Sequence, residues 1–236
     1  KQVQNTARID VEKVKCILVV SAHWMEETIK VSTNPEPNMI FDYYGFPDSS
    51  YKYKYPAKGS PETAEAVLRL LKEAGIEAKE DKNRGFDHGV FVPLMLAFPE
   101  ANIPVVSMSL KAGLSEEFHV EVGKALEPLR KNVLIVGSGM SYHNMRGFDP
   151  SYSEKSKMFS KCLKDACVGT NGKENGKRER LSLLVNWKNM DYASICHPVS
   201  EHLVPLFVAA AAGGKSGKVL LDDKVLDVQV NAFSFQ

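Results

Sequence analysis

The chain of 236 residues is 44% hydrophobic and 25% charged, a balance that fits a globular α/β protein large enough to bury a substantial interior. Thirty Lys and Arg against 29 Asp and Glu leave a formal charge of +1, which excludes a global field drawing the protein to nucleic acid or to an anionic membrane and leaves small neutral or anionic ligands open. No run approaches the ~20 apolar residues of a membrane span and no signal peptide opens the chain. The four cysteines, Cys16, Cys162, Cys167 and Cys196, have neither zinc-ribbon spacing nor the density of a secreted disulfide framework, so reduced thiols in the cytoplasm are expected.

Residues 15–24 (KCILVVSAHW) are apolar and β-branched on both faces, the pattern of a strand covered by helices on either side. It ends on Ser21 and His23. Residues 28–33 alternate like a neighbouring strand, and residues 34–55, rich in Pro, Gly and Tyr, predict a long loop of the kind that carries function. Ser60-Pro61-Glu62 supplies a cap, a proline at the first helical position and an acid in the first turn, so a helix is expected to run from there to a stop at Gly75. A short strand over 76–80 leads into the segment 83–89 (NRGFDHG) and an apolar helix over 90–98. Residues 103–110 (IPVVSMSL) read as a strand, and 115–130 as a helix with the apolar stripe Phe118, Val122, Leu126 and Leu129. Residues 133–139 (VLIVGSG) predict another buried strand, running into a glycine turn.

Beyond Met140 the rhythm changes: a helix over 154–168, a polar surface loop over 169–180, a helix over 180–189 and an apolar helix over 200–212. The strand-like tail, 218–235, is expected to pair at the sheet edge. This order predicts one α/β domain over 1–236, with a mostly parallel or mixed β-sheet flanked by helices.

In an open α/β sheet, ligands gather at the carboxyl ends of the strands, where loops converge. His23 ends the first strand, His143 follows the Gly137-Ser138-Gly139 turn, and His88 sits in a glycine-flanked loop before a helix. His197 and His202 flank a helix start, with Glu201 beside them. A lone histidine is more often structural than functional, but recurrence at element ends favours function. Imidazoles with one carboxylate and open positions suit Fe(II) that must bind both an organic substrate and oxygen. His119, inside an amphipathic helix beside acids, reads as a surface residue. Residues 173–180 mix basic side chains with Glu174 and Glu179 and read as a solvated loop rather than a nucleic-acid site.

Six ordered segments carry a resemblance: Ser21-Ala22-His23-Trp24; Asp42-Tyr43-Tyr44-Gly45-Phe46-Pro47; Tyr55-Pro56-Ala57 with Gly59-Ser60-Pro61; Gly85-Phe86-Asp87-His88-Gly89 with Val92-Pro93-Leu94; Gly137-Ser138-Gly139 with His143-Asn144; and His197-Pro198 with Glu201-His202 and Pro205-Leu206. Together, over nearly the whole chain, they resemble the class III (LigB-type) extradiol ring-cleavage dioxygenases, in the DOPA 4,5-dioxygenase branch. The resemblance implies a mixed α/β sheet and a non-haem metal held by three side chains, Fe(II) or alternatively Zn(II). It implies His23 and His202 as metal ligands, with Glu201 as the fallback, and His143 as the acid–base histidine. His88 would contact the substrate or an oxygen-derived intermediate, with Asp87 as its orienting partner. Asp42, Tyr44, Phe46, Asp87 and Asn144 are the expected substrate contacts.

One departure stands out. The family carries a further ligand histidine in a His-Gly motif upstream of the position of Ser21, and residues 1–16 contain no histidine. The chain also begins without methionine, so an upstream segment is expected. The implied partners are a small aromatic diol and O2, with the protein a monomer or homodimer and neither nucleic acid nor membrane involved. Two other readings use the same residues: a non-enzymatic binding or signalling relative with a degenerate metal site, and a zinc-dependent hydrolase.

Overall fold

The computed structural model describes residues 11–170, 173–215 and 217–236. Residues 1–10, where an upstream histidine was expected, and residues 171–172 of the polar loop therefore lie outside the described residues. The chain divides into two compact units, Lys1–Gly113 with Pro128–Ser138, and Leu114–Glu127 with Gly139–Gln236.

The first unit holds a five-stranded mixed sheet: β1 (Cys16–Glu26), β2 (Ile29–Ser32), β3 (Ala78–Asp81), β4 (Val105–Lys111) and β5 (Val133–Ser138), in the order β3-β2-β4-β1-β5. β1 runs parallel to β4 and β5, with Ile17 beside Val105 and Cys16 beside Val133. β2 is parallel to β3 but meets β4 antiparallel, through Val31 and Met108. Between two parallel neighbours β1 is an interior strand, and its two apolar faces are covered: Ile17 through Val20 are fully buried. Its register against β4 shifts between Val20 and Met25, and this irregularity falls where Ser21 and His23 are presented, as bulges commonly do near sites.

Helices α1 (Pro61–Glu73) and α2 (His88–Ala97) belong to the same unit. Ser60 caps α1, its Oγ accepting from the Thr63 amide, and Gly75 at φ +74° lets the chain turn away from the helix. Phe86, Val90, Phe91 and Leu94 pack with Ile17, Val19, Val105 and Tyr55 into an apolar core.

In the second unit are α3 (Glu116–Leu126), α4 (Ser153–Cys167), a two-rung ribbon β6 (Gly169–Thr170) with β7 (Lys173–Glu174), α5 (Lys177–Val185), α6 (Ala193–Cys196), α7 (Val204–Ala212) and the strands β8 (Gly217–Val225) and β9 (Val228–Phe235). α3 packs closely on α7, because a Cβ at Gly123 would lie 2.4 Å from the Val208 carbonyl oxygen. That approach turns the helix from its expected stripe. His119 is 1% exposed rather than on the surface, and it shares the buried face with Val120, Val122, Gly123 and Leu126.

Three other expectations change. The tail does not join the sheet: β8 and β9 pair with each other, closed by Leu226 and Asp227, both at positive φ, as a tight hairpin turn requires. α5 starts earlier than expected, within the supposed solvated stretch. There Arg180 is fully buried, donating to the carbonyls of Ala210, Gly214 and Lys215. Ala210 is in the last turn of α7 and Gly214 and Lys215 follow its end, so a cation belongs there. α7 begins only at Val204, after a turn in which Ser200 O accepts from the amides of Leu203 and Val204.

Candidate functional site: two histidine–carboxylate clusters

In the first unit, the long loop is anchored to the segment before α2. The Phe86 amide donates to Asn38 O and the Ile40 amide to Phe86 O. Gly85 permits this approach, since a Cβ there would stand 2.1 Å from Asn38 O. The anchoring delivers Asp42 to His88: its Oδ1 accepts from the His88 amide at 3.0 Å and lies 2.8 Å from His88 Nδ1. Its Oδ2 is 4.0 Å from His23 Nδ1, and the His23 and His88 ring centroids are 3.8 Å apart. Ligand atoms of His23, Asp42 and His88 all lie within 4.8 Å of one another. Gly89 admits this crowding, because a Cβ there would meet Ser21 Oγ at 2.8 Å and His23 Cδ2 at 2.9 Å. Burial pushes the Asp42 carboxyl up, but the hydrogen bonds from His88 outweigh it and hold its pKa below the ordinary value.

Behind this cluster lies a buried frame. Asp87 is 0% exposed. It accepts from Ser21 Oγ at 2.8 Å and from Arg84 Nη2 at 2.7 Å, and the Arg84 guanidinium stacks 4.7 Å over the Trp24 ring. Asp87 therefore ties β1 to the start of α2, and the partner that orients His88 is Asp42.

In the second unit, the loop after β5 is sewn to the segment before α7. Met140 N donates to His202 O and His143 N to Cys196 O; Asn144 Nδ2 donates to Ile195 O. His143 Nδ1 and His202 Nδ1 lie 3.3 Å and 3.0 Å from the same oxygen, Glu201 Oε1. The two rings stack with centroids 3.3 Å apart, and the ligand atoms of His143, Glu201 and His202 lie within 4.8 Å of one another. Burial lowers the His143 pKa against the opposing pull of Glu201. Burial raises that of Glu201, and its bond with His202 together with the neighbouring imidazoles reverses the sign to a net lowering.

Both clusters have the donor chemistry of a divalent metal site, two imidazoles and one carboxylate. Glu201 Oε2 adds a specific sign: it is buried with no hydrogen-bond partner, the kind of orphan that an ion satisfies. The residues thus fit a metal such as Fe(II) or Zn(II).

Of the expected substrate contacts, Asp42 lies in the first cluster. Asp87 is withdrawn into the frame, and Asn144 has both ends of its amide engaged, since its Oδ1 accepts from the Arg146 amide. Tyr44 is 93% exposed and Phe46 60% exposed. The ring that meets His88 is Tyr43, edge-on at 5.7 Å, with its hydroxyl bonded to Ser50 O. Sequence reasoning marked this loop, Tyr43 included, without singling Tyr43 out, because three aromatic side chains within four positions carry no signal of which one faces inward.

Among the described residues no helix is long and apolar enough to cross a membrane. Comparison with known proteins matches residues 2–231 to the family described as the catalytic LigB subunit of aromatic ring-opening dioxygenase. A 4,5-DOPA dioxygenase extradiol of Beta vulgaris is 39% identical over 215 residues, covering 89% of this chain and 77% of that protein. A dioxygenase of Hapsidospora irregularis is 34% identical over 232 residues, covering 93% and 71%. Among solved structures, that of an uncharacterised protein of Escherichia coli K12 shares the fold with a TM-score of 0.76 at 24% identity, over 98% of this chain and 90% of that one.

Proposed function

The chain belongs to the LigB family of aromatic ring-opening dioxygenases, and on that premise we propose that it opens a catechol-type ring beside the diol, placing both atoms of O2 in a ring-opened semialdehyde. The observation that carries this reading is the folding of histidines distant in sequence into clusters that each join two imidazoles to one carboxylate. His23 in the first cluster and His202 in the second are each proposed as metal-binding side chains, with Glu201 Oε2 as a further donor beside His202. Fe(II), if held by these residues, would supply a Lewis-acidic, redox-active centre with positions open to an organic diol and to O2.

The protein's own groups manage position and protons. Burial lowers the His143 pKa and its Nδ1 faces Glu201, so its Nε2 is the atom positioned to take a phenolic proton and return it later. His88 is set by Asp42, which fixes Nδ1 as the donor to the carboxylate and leaves Nε2 to hydrogen-bond the substrate or an anionic product of oxygen attack. Tyr43 offers an aromatic edge beside His88, suited to a planar ring.

The test is to load the protein with Fe(II) anaerobically, add DOPA, caffeate or protocatechuate with air, and follow oxygen uptake together with a yellow product. His143→Ala is expected to lose turnover while keeping its metal, and His23→Ala to lose metal. Absence of oxygen uptake with all three catechols, or full activity in His143→Ala, would sink the assignment.

A further inference from the structure

We propose that His197 is a positioning residue for His143, acting by holding the Ser141 carbonyl two residues before it; this rests on the reading of His143 as the acid–base group. His197 is 2% exposed, and its Nε2 lies 3.1 Å from Ser141 O. A carbonyl only accepts, so Nε2 must carry the hydrogen and Nδ1 must be bare. Consistently, Nδ1 is buried and has no hydrogen-bond partner, and burial pushes the imidazole pKa down to about 4. The ring is neutral and has a single tautomer.

Its orientation is fixed from behind. Phe159 and Trp187 flank it with centroids at 5.5 Å and 5.9 Å. The indole Nε1 of Trp187 donates to Glu116 Oε1 at 2.8 Å, and Lys188 neutralises that carboxylate at 2.8 Å. Ser141 is held on its other side as well, since its Oγ accepts from the Asn231 amide at 2.6 Å. Only Tyr142, itself fully buried and bonded to Gly147 O at 2.6 Å, separates Ser141 from His143, whose own amide is bonded to Cys196 O. A rigid line thus runs from α3 through Trp187 and His197 to the backbone that aims the His143 ring, and misplacing a reacting group by about 1 Å can cost about 100-fold in rate.

The test compares His197→Leu, which fills the space without a donor, with His197→Gln, whose amide nitrogen reaches a similar point. For the Leu variant the expectation is a fall in kcat of about tenfold or more with KM within about twofold, and faster hydrogen exchange at the amides of His143 and Asn231 in the metal-free protein. The Gln variant should restore kcat and slow exchange. In the unaltered protein, ring-nitrogen NMR should show Nε2 protonated and Nδ1 bare. The proposal is overturned by a protonated Nδ1, by a Leu variant with unchanged kcat and exchange, or by a Gln variant that fails as badly as Leu at equal melting temperature. If the unaltered protein opens no catechol, the ring-opening reading fails, while NMR and exchange still decide the anchor.

Discussion

The two clusters use the same ingredients and hold them differently. In the first unit the side chains of His23, Asp42 and His88 are each a quarter to a third exposed, and the carboxylate arrives from 46 residues away on an anchored loop. In the second, His143, Glu201 and His202 are only 10–21% exposed, carboxylate and imidazole are sequence neighbours, and one oxygen serves both rings. Water screens the first group, whereas lower local polarity strengthens every charge in the second and makes its unpaired oxygen costly. The more exposed cluster is therefore suited to receiving a ligand, and the more buried one to holding charges in prepared positions.

The largest effect that would break this contrast is kinetic. His143→Ala should lower kcat by about 10^2 to 10^4-fold, the usual share of a positioned acid–base group, with metal content intact by elemental analysis; equal loss of metal in this variant would make His143 a ligand instead. Next comes stability in urea. Asp87→Ala strands the Arg84 guanidinium and Ser21 Oγ and should cost about 3 kcal/mol, whereas Asp42→Ala, on a carboxylate one quarter exposed, should cost less than about 1 kcal/mol and act mainly on rate.

Acid should separate the units. The His197 pKa falls from 6.5 when unfolded to about 4 when folded, so between these values the unfolded chain binds more protons and stability is lost as the pH drops. This amounts to at most about 3 kcal/mol. The lowered pKa of His143 has the same sign. Asp42, lowered from 3.8, contributes stability that disappears only below that range. Exchange protection in α7 and β9 should therefore fade from pH 6.5 downward before that in β1 and β4, and His197→Leu should flatten the difference. The smallest effect concerns the aromatic loop: Tyr44→Ala should shift stability by less than about 0.5 kcal/mol and leave KM unchanged, while Tyr43→Ala should raise KM for the catechol.

Where local pattern determines structure, the sequence was legible. β1, β5, the Ser60 cap and the stop at Gly75 follow from runs, caps and turns that need no distant partner. His119 was not legible, because the acids beside it suggest a solvated face while Gly123, four positions on, is what lets α7 cover it. The final hairpin was hidden for a related reason: Leu226 and Asp227 take positive φ without the glycine or asparagine that would have announced the turn. Motif likeness named His23, His88, His143, Glu201 and His202, which the fold gathers into two clusters. It did not reveal that Asp42 rather than Asp87 serves His88, since that choice depends on a loop docked through Asn38 and Ile40.

The interior strand β1 has a consequence for how the chain acquires its shape. β1 is flanked only by β4 and β5, beginning at Val105 and Val133, and neither neighbour is supplied by the intervening hairpin-like step to β2. During synthesis, the most apolar stretch of the first unit must wait for more than a hundred further residues before both of its edges are satisfied, a slow, non-local assembly that leaves it open to chaperones and to self-association.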